Sequence, residues 1–352
     1  MFVLIRADAT PEIGTGHLMR CAALAMRLMG RGAEIHFICG PLHQGLQDWL
    51  RNHKFGFSVL NKEDVDGWKS DLAATLDIVN KLCPRRVVDL LIVDNYQLEF
   101  NWELGIREYV NRIFVIDDLA NRKHCCDLLL DQNLRANMKE RYKNLLPINA
   151  TQFLGPQYAL LRSEFDFPGL VRERDGTVKN LLIFFGGTDP GGQLTKAIAA
   201  VSRLGKLAPE TTVLLGHAHP CPDKIYTIAF GIQKLTILEA SDQISQLMAK
   251  ADLAIGTCGI AAWERCFLGL PSMVVITADN QRQDAEILHN RGAVINLGDA
   301  DLVTSDDWYR ELKLAMSNPK KIHSMAISSQ KIMSLRESAQ LELEQALIDE
   351  II

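Results

Sequence analysis

The sequence predicts an α/β protein of two doubly wound domains, each with a parallel sheet covered by helices on both faces. Short apolar runs alternate with helical patterns of about 10–15 residues, as in successive βαβ units. At 352 residues the chain is long enough for two domains of ordinary size. Both halves also open in the same way, with an apolar strand, a Gly-rich turn and a helix, around Gly14–Gly16 and around Gly186–Gly192.

The first half shows strand and helix patterns in strict alternation. Apolar runs predict strands at 2–6, 34–39, 90–94 and 112–116, with a further apolar run at 127–131. Helical patterns fall between them at 16–31, 46–52, 68–82 and 99–109. The strand runs are apolar throughout rather than alternating, which is typical of parallel strands buried on both faces.

A polar, charged stretch at 170–179 is the predicted linker, so we predict domains at 1–170 and 177–352. Strands are then predicted at 180–185, 212–216, 235–238, 253–255 and 272–276. Helices are predicted at 193–204, 244–250, 260–268 and 281–291, followed by long helical patterns at 306–316 and 324–347. Ligands of doubly wound sheets bind at the carboxyl ends of the strands, so two facing domains would line a common cleft.

Composition and charge argue against nucleic-acid and membrane partners. The formal net charge is −5, whereas nucleic acids are bound by basic surfaces. The run at 2–6 is interrupted by Arg6, which indicates a strand rather than a signal peptide, and no apolar run approaches the ~20 residues that span a bilayer. The eight cysteines form no C-x-x-C pair and are typical of buried thiols in a reducing compartment. We therefore expect a cytoplasmic protein.

The turn after the first strand reads Ile13-Gly-Thr-Gly-His-Leu-Met-Arg20. It is not a dinucleotide fingerprint, because Met19 stands where the third glycine belongs. The second strand also ends in Cys39-Gly40 rather than in an acidic residue for the ribose. These two departures exclude NAD as the expected ligand.

His17 is the residue of this turn that could carry chemistry. It falls in the first turn of the predicted helix, with Thr15 as the N-cap. The positive end of the helix dipole disfavours the imidazolium, and a neutral histidine is suited to take a proton from water or a hydroxyl. The negative charge of Asp8 or Asp94, if either lies nearby, would instead favour the imidazolium. The residues alone leave two interpretations open, a general base and an exposed histidine without a role.

Acidic residues follow three of the predicted strands. They are Asp94, in Asp94-Asn95-Tyr96, the pair Asp117-Asp118, and Asp131, in Asp131-Gln132-Asn133. These groups predict a polar floor at the carboxyl edge of the first sheet, although Asp and Asn also end strands because they favour turns. A metal site at Asp117-Asp118 is disfavoured, because no further acid or histidine is spaced to complete it.

The second half carries two Gly-rich turns that each lead from a strand into a helix. One is Gly186–Gly192, and the other runs from Gly256 to Gly259 and is followed by Glu264. Neither is a Walker motif, since no Gly-Lys-Ser/Thr follows. Backbone amides at such turns bind anions, so the pair predicts a nucleotide-diphosphate site in which Glu264 holds the ribose hydroxyls. The alternative for Glu264 is a surface residue paired with Arg265.

Taken together, several segments resemble the UDP-sugar hydrolases of pseudaminic acid biosynthesis, the PseG family, which share the GT-B fold with the MurG glycosyltransferase. The segments run in order along the chain: Ile5-Arg-Ala-Asp8, Ile13-Gly-Thr-Gly-His-Leu-Met-Arg20, Val93-Asp-Asn-Tyr96, Ile116-Asp-Asp118, Cys126-Asp-Leu-Leu-Leu-Asp-Gln-Asn133, Gln157-Tyr-Ala-Leu-Leu-Arg162, Phe185-Gly-Gly-Thr-Asp189, Trp263-Glu-Arg-Cys266, Leu268-Gly-Leu-Pro271 and Asp279-Asn-Gln281. The GxGHxMR segment is the most specific of them.

The resemblance implies hydrolysis of UDP-2,4-diacetamido-2,4,6-trideoxy-β-L-altropyranose to UDP and the free sugar, by inverting attack of water at the anomeric carbon. In family terms His17 is the catalytic base. The implied substrate-binding residues are Gly14, Gly16, Arg20, Asp94, Tyr96 and Asn280. The implied UDP-binding residues are Gly187, Thr188, Thr257, Gly259 and Glu264. No cofactor and no metal are implied, and the resemblance is compatible with a monomer.

The chain departs from the family at the second Gly-rich turn. Family members often carry a serine-containing turn before the glutamate, whereas Thr257-Cys258-Gly259 stands here. Thr257 is the hydroxyl that could replace the serine contact to phosphate. Three other functions stay open: a GT-B glycosyltransferase with an acceptor other than water, a hydrolysing 2-epimerase, and a sugar-nucleotide-binding protein without activity.

Overall fold

The computed structural model describes residues 1–9, 14–61, 66–84, 86–189, 191–216, 219–239 and 243–348. Ile13, which precedes the GxGHxMR segment, lies outside these ranges. The chain divides into two compact units, one formed by Met1–Ser163 with Leu335–Ile352 and the other by Glu164–Ser334. Within the described ranges, no helix has both the length and the apolar character needed to cross a membrane.

The first unit has, in its described part, a seven-stranded sheet in the order β3-β2-β1-β4-β5-β6-β7, and its strands pair in parallel. The strands are β1 (Phe2–Ala7), β2 (Glu34–Cys39), β3 (Gly56–Val59), β4 (Val88–Asp94), β5 (Val110–Ile116), β6 (Leu128–Asp131) and β7 (Thr151–Leu154). The helices are α1 (Gly16–Gly30), α2 (Gln44–Asn52), α3 (Trp68–Leu82) and α4 (Phe100–Ile106). The order reverses between β1 and β4, as in doubly wound folds, where ligands bind at this point of reversal.

The central strand β1 shows why this sheet is buried on both faces. Its alternate residues Val3 and Ile5 join the apolar cluster that contains the buried face of α1. Phe2 and Leu4 point the other way, into a cluster with Trp102 of α4. Side chains of a strand alternate between the two faces of a sheet, so helices on both faces require the continuously apolar run that the sequence shows.

The second unit repeats this plan on a sheet that, within the described residues, has six strands in the order β10-β9-β8-β11-β12-β13. The strands are β8 (Asn180–Phe184), β9 (Glu210–Leu215), β10 (Leu235–Glu239), β11 (Leu253–Thr257), β12 (Ser272–Ile276) and β13 (Val294–Asp299). The helices are α5 (Gln193–Leu204), α6 (Pro222–Ala229), α7 (Ile244–Lys250), α8 (Ile260–Phe267), α9 (Asp279–Asn290), α10 (Ser305–Met316) and α11 (Pro319–Ile332). Here the order reverses between β8 and β11. The predicted doubly wound α/β class is confirmed.

The end of the chain differs in part from the sequence prediction, which gave one helical pattern at 324–347 in the second domain and, from the GT-B resemblance, a terminal helix that packs back on the first domain. The pattern is two helices, α11 and α12 (Arg336–Ile348). Residues of α11 belong to the core of the second unit. By contrast, Leu343 and Leu347 of α12 join the core of the first unit, and Arg27 of α1 donates to Gln340 at 2.7 Å. The last helix therefore completes the first unit.

The stretch at 170–179 is also not the linker that its polarity predicted. The Arg172 guanidinium donates to the carbonyl oxygens of Ala249 at 2.7 Å and Ala251 at 2.9 Å. Arg174 is buried and donates to the carbonyl oxygens of Leu268 at 2.6 Å and Ala251 at 3.0 Å. The charges that suggested a solvated linker satisfy backbone groups within the second unit, so the unit boundary falls earlier, between Ser163 and Glu164.

The strands that the sequence did not predict lie at sheet edges. β3 and β7 are the two edges of the first sheet as described, and β13 is an edge of the second. An edge strand pairs on one side only and is less buried, as in β3, where no residue is fully buried. Its apolar pattern is correspondingly weak. The helix α6 was missed as well.

Replacing Arg174 by Met should lower the free energy of unfolding by about 3 kcal/mol, because buried carbonyl oxygens lose their donor. Urea unfolding followed by circular dichroism measures the effect. The matched control is Arg310→Met, whose side chain is 61% exposed and whose surface ion pairs are worth less than about 1 kcal/mol. Equal losses in the two variants would show that Arg174 does not anchor the stretch.

Candidate active site

The candidate site of the first unit lies where β1 and β4 end side by side. Ala7 pairs with Asp94 in the last register position of the two strands. Gly14 has φ of 77°, a left-handed conformation that favours glycine, and α1 begins two residues later. Thr15 is the N-cap residue as predicted, but its side chain makes no capping hydrogen bond. The first turn of α1 thus opens at the point of sheet reversal.

His17 and Asp94 form a hydrogen-bonded pair across this point. The His17 Nδ1 and Asp94 Oδ1 atoms are 2.6 Å apart, and the side chains are 9% and 0% exposed. An ionised carboxylate can only accept, so Nδ1 carries the proton and donates it to Asp94. Within the described residues His17 has no other hydrogen-bond partner. In the neutral ring the Nε2 lone pair is therefore the group left to accept a proton.

Arg20, one turn further along α1, holds the other side of the same carboxylate. Its Nε donates to Asp94 Oδ2 and its second terminal nitrogen to Oδ1, both at 2.6 Å. Its remaining nitrogen donates to Asp118 Oδ2 at 3.1 Å. Burial raises the pKa of Asp94, but Arg20 and His17 outweigh burial and hold it well below its usual range. Asp94 is therefore ionised while His17 acts.

Tyr96 packs against the imidazole and completes the cluster. Its ring meets the His17 ring edge-on, with centroids 4.6 Å apart at 89°, a favourable aromatic geometry. Its hydroxyl donates to Asp118 Oδ1 at 2.8 Å. Burial, and next the charge of Asp118, raise the pKa of the Tyr96 phenol above its usual value. The phenol is thus a neutral donor, and the ring fixes the plane of His17.

Asp8, which follows β1, forms hydrogen bonds to neighbouring loops rather than to His17. It pairs with Arg6, and its carboxylate accepts from the Gly40 amide and from Asn95 Nδ2, both at 2.6 Å. Of the two acids that the sequence placed near His17, Asp94 is the one that hydrogen-bonds to it.

The remaining strand-end acids are also neutralised internally. Asp117 accepts from the Tyr142 hydroxyl at 3.1 Å and pairs with Arg122 at 2.7 Å. Asp131 pairs with Arg141 at 2.7 Å, although burial raises its pKa to about 6. The predicted polar floor is a network of paired charges. In the part of the chain that the structure describes, no group of three or more His, Cys, Asp or Glu is arranged to hold a metal ion.

The first Gly-rich turn of the second unit differs from the prediction that its amides face an anionic ligand. The Asp189 carboxylate accepts from the backbone amides of Gln193 at 2.9 Å and Leu194 at 3.2 Å. Asp189 is buried, so a carboxyl oxygen of the chain itself already caps the N-terminus of α5. Gly187 and Thr188 stay half-buried on the preceding part of the turn; Pro190, in the same turn, lies outside the described residues.

The second Gly-rich turn leaves the start of α8 open. Gly259 is the N-cap, without a side-chain capping bond and without an acid in the first turn. Thr257 is the last residue of β11, and a Cβ at Gly259 would lie 3.9 Å from its Oγ1 and 3.6 Å from Gln281 Nε2. Glu264 is buried within α8 at 2% exposure. Within the described residues no side chain caps this helix end, and uncapped amides at a helix N-terminus are suited to an anion.

The structure brings together part of the predicted set. His17, Arg20, Asp94 and Tyr96 form one cluster, and Thr257 lies beside Gly259. Arg20 and Asp94, predicted to bind substrate, are buried and bind each other. Asn280 is in the first turn of α9, where its neighbour Gln281 reaches the α8 turn. Asp118, which the sequence placed in the polar floor without assigning it a role, also belongs to the cluster through Arg20 and Tyr96.

Asp189 predicts a dependence of stability on pH. Burial raises its pKa to about 7, above the value of about 3.9 in the unfolded chain. Folding is therefore favoured when the carboxyl is protonated, and stability falls as pH rises from about 4 to about 7.

The variant Asp189→Asn keeps a side-chain oxygen that can accept from the α5 amides. Because an amide does not ionise, this variant should not lose stability as the pH rises. Relative to the wild type, its free energy of unfolding should rise by about 3 kcal/mol between pH 4.5 and 8 in urea titrations. Asp301→Asn, at an exposed position, should show no such change. A difference independent of pH would contradict the assignment.

Sequence comparisons match both halves of the chain. Residues 181–341 match the model of the glycosyltransferase family 28 C-terminal domain. An uncharacterized protein of Methanocaldococcus jannaschii is 27% identical over 297 residues, 80% of this chain, and the chain spans 57% of that protein. The UDP-2,4-diacetamido-2,4,6-trideoxy-β-L-altropyranose hydrolase of Campylobacter jejuni is 25% identical over 293 residues, which are 83% of this chain and 97% of that enzyme.

Solved structures match almost the whole chain. MurG of Acinetobacter baumannii aligns with a TM-score of 0.64 and 14% identity, over 97% of this chain and 98% of that one. Phytolacca americana UGT2, solved with UDP-2-fluoro-glucose and pterostilbene, aligns with a TM-score of 0.69 and 14% identity, over 99% and 98%. At this identity the likeness shows the fold. The chain has the GT-B fold, and residues 181–341 resemble the C-terminal domain of family 28 glycosyltransferases.

Proposed function

We propose that the chain hydrolyses UDP-2,4-diacetamido-2,4,6-trideoxy-β-L-altropyranose to UDP and the free sugar, with inversion at the anomeric carbon. The observation that carries the proposal is the His17–Asp94 pair at the point of reversal of the first sheet. A general base fixed by a buried carboxylate is what activation of water requires. The Campylobacter jejuni hydrolase, similar along 97% of its length, supports the choice of substrate.

In the proposed mechanism His17 Nε2 takes a proton from a water molecule as the water oxygen attacks the anomeric carbon. The bond from that carbon to the diphosphate oxygen breaks, and its electron pair leaves with UDP. The proton held by His17 is then released to solvent. Asp94 remains ionised and stabilises the imidazolium that forms, while Arg20 prevents the carboxylate from turning away.

The departing diphosphate gains negative charge, and fixed dipoles are well suited to stabilise it. We assign this task to the amides at the start of α8, with Gly259 as the N-cap and Thr257 as the neighbouring hydroxyl. Glu264 is assigned to the ribose hydroxyls. Gly187 and Thr188 are assigned to UDP through backbone and hydroxyl contacts.

Around the sugar, we assign the substrate contacts to Tyr96 and to Asn280. Gly14 and Gly16 place no side chain at the start of α1, and a backbone without side chains lets a sugar ring approach closely. Arg20 and Asp94 act on the substrate through His17 rather than by contact, because the Asp94 carboxylate is engaged by His17 and by Arg20.

A second candidate function is transfer of the sugar to an acceptor hydroxyl. The family 28 match over 181–341 favours it, and the same base could deprotonate an acceptor instead of water. A hydrolysing 2-epimerase would instead release a sugar altered at C2. The three activities differ in product, so one assay separates them.

Replacing His17 by Asn should lower kcat at least ~100-fold, because the base that accepts the water proton is lost. Proton NMR of the UDP-sugar incubated with the protein, with no acceptor added, follows the release and configuration of the free sugar. His43→Asn is the matched control, since His43 is exposed and only caps α2, and it should keep wild-type turnover. Equal rates for the His17 variant and the wild type would refute the mechanism, and turnover that requires an added alcohol would indicate a transferase.

Replacing Asp94 by Asn should lower kcat by roughly 10²–10⁴, with KM within about threefold, because the amide no longer enforces a proton on Nδ1 of His17. Steady-state kinetics across pH 5–9 separate kcat from KM. Asp118→Asn is the control, because it loosens Arg20 and Tyr96 but leaves the His17–Asp94 bond in place, and its kcat should fall far less. A rise in KM alone in the Asp94 variant would assign Asp94 to substrate binding instead.

A further inference from the structure

A buried arginine lies against the open start of α8. Arg265 is the sixth residue of that helix and is 2% exposed. Its side chain reaches back along the helix, and a terminal nitrogen donates to the Thr257 carbonyl oxygen at 2.5 Å. A Cβ at Gly256 would lie 3.0 Å from another guanidinium nitrogen. The charge is therefore held at the carboxyl end of β11, beside the turn that leads into α8.

Within the described residues this charge has no ion-pair partner, and the attraction of the preceding residue, Glu264, is weaker than the effect of burial, which lowers the pKa of Arg265. Arg265 makes no ion pair there, and its Nε is buried without a hydrogen-bond partner. Two other buried arginines pair with acids: Arg6 with Asp8 and Asp71, and Arg20 with Asp94 and Asp118. In the described part of the chain Arg174 also lacks an ion pair, but its guanidinium donates to several carbonyl oxygens, whereas Arg265 donates to one. An arginine does not lose its proton in proteins, and an uncompensated buried charge is costly. Its retention points to an anion that arrives from outside.

The surroundings of Arg265 direct such an anion to one place. The amides of α8 carry no side-chain cap, and no acid lies in the first turn, so the positive end of the helix dipole is uncompensated. The N-terminus of α5 is closed by Asp189. Because the guanidinium lies in a buried, weakly polarisable environment, its field at the α8 turn is screened far less than that of a surface charge. The charge and the dipole attract an anion to the same turn.

We propose that Arg265 is the buried counter-charge for the diphosphate of a nucleoside diphosphate ligand bound at the start of α8. Arg265 is a positioning residue. It holds the β11–α8 turn through the Thr257 carbonyl oxygen, and its charge attracts the diphosphate without touching it. The inference rests on the proposed function only in placing a nucleotide at this turn. It concerns binding, so it holds equally whether the sugar is passed to water or to another acceptor.

The test compares a charged and an uncharged probe on the full chain. Isothermal titration calorimetry measures UDP and uridine binding to the wild type and to the variants Arg265→Met, Arg265→Gln and Arg265→Lys. The Gln variant keeps an N–H donor for the Thr257 carbonyl but removes the charge, whereas Lys keeps the charge. Arg310→Met is the surface control. Circular dichroism confirms that each variant is folded before titration.

We expect the Met and Gln variants to weaken UDP binding at least ~10-fold and to change uridine binding less than about twofold. The Lys variant should bind UDP within about threefold of the wild type. Equal weakening of UDP and uridine, or unchanged UDP binding in the neutral variants, would overturn the inference. If neither neutral variant folds, the wild type and the Lys variant are compared instead. The inference is overturned if the wild type binds UDP less than about threefold more tightly than uridine. It is also overturned if the Lys variant loses the preference for UDP. The proposed hydrolysis is tested separately. It would be refuted if the protein bound UDP with the expected preference over uridine but released no free sugar.

Discussion

The arrangement of the first unit depends on one carboxylate, that of Asp94, which is shared between a histidine and an arginine. Both of its oxygens are engaged, by His17 Nδ1 and by two nitrogens of Arg20, each at 2.6 Å. A buried ion pair stabilises a protein little, because desolvation offsets most of the attraction, but loss of one partner is costly. The value of the pair here is geometric. It fixes the tautomer and the plane of the imidazole at the start of α1.

The two units apply the same topology to different electrostatic tasks. In the first, the described acids that end strands, Asp94, Asp117, Asp118 and Asp131, each have a cationic or hydrogen-bonding partner, whereas His17 Nε2 has no hydrogen-bond partner among the described residues. In the second, Asp189 caps the start of α5, whereas within the described residues no side chain caps the start of α8 and the buried Arg265 beside it has no ion-pair partner. One unit is thereby suited to proton transfer and the other to binding an anion. The proposed cleavage of a sugar diphosphate needs both.

Much of the fold could be predicted from local patterns, because helix periodicity and continuously apolar strands are properties of short segments. The predicted ranges 34–39, 68–82 and 193–204 coincide with β2, α3 and α5. Edge strands such as β3 and β7 escaped because a half-exposed strand has little apolar signal. The stretch at 170–179 was misjudged for a different reason. The carbonyl oxygens that Arg174 satisfies are up to 95 residues away in the chain, and nothing local reveals them.

The site shows the same limit. His17 could be found because a histidine after a Gly-rich turn at a helix start is a local feature. That Asp94 and Arg20, 74 residues apart, bind each other rather than the substrate follows only from the parallel pairing of β1 with β4. Asp189 likewise caps α5 from a left-handed backbone conformation, with φ of 50°. The sequence alone does not predict that conformation for an aspartate.

The most direct test of the central claim is nitrogen-15 NMR of the His17 side chain at neutral pH, assigned by comparison with the His17→Asn variant. If Asp94 fixes the imidazole as described, the neutral ring carries its proton on Nδ1, and Nε2 shows the shift of an unprotonated nitrogen. In the Asp94→Asn variant this preference should be lost. A wild-type ring that carries its proton on Nε2 would contradict the account, because the nitrogen assigned to take the proton from water would already hold one.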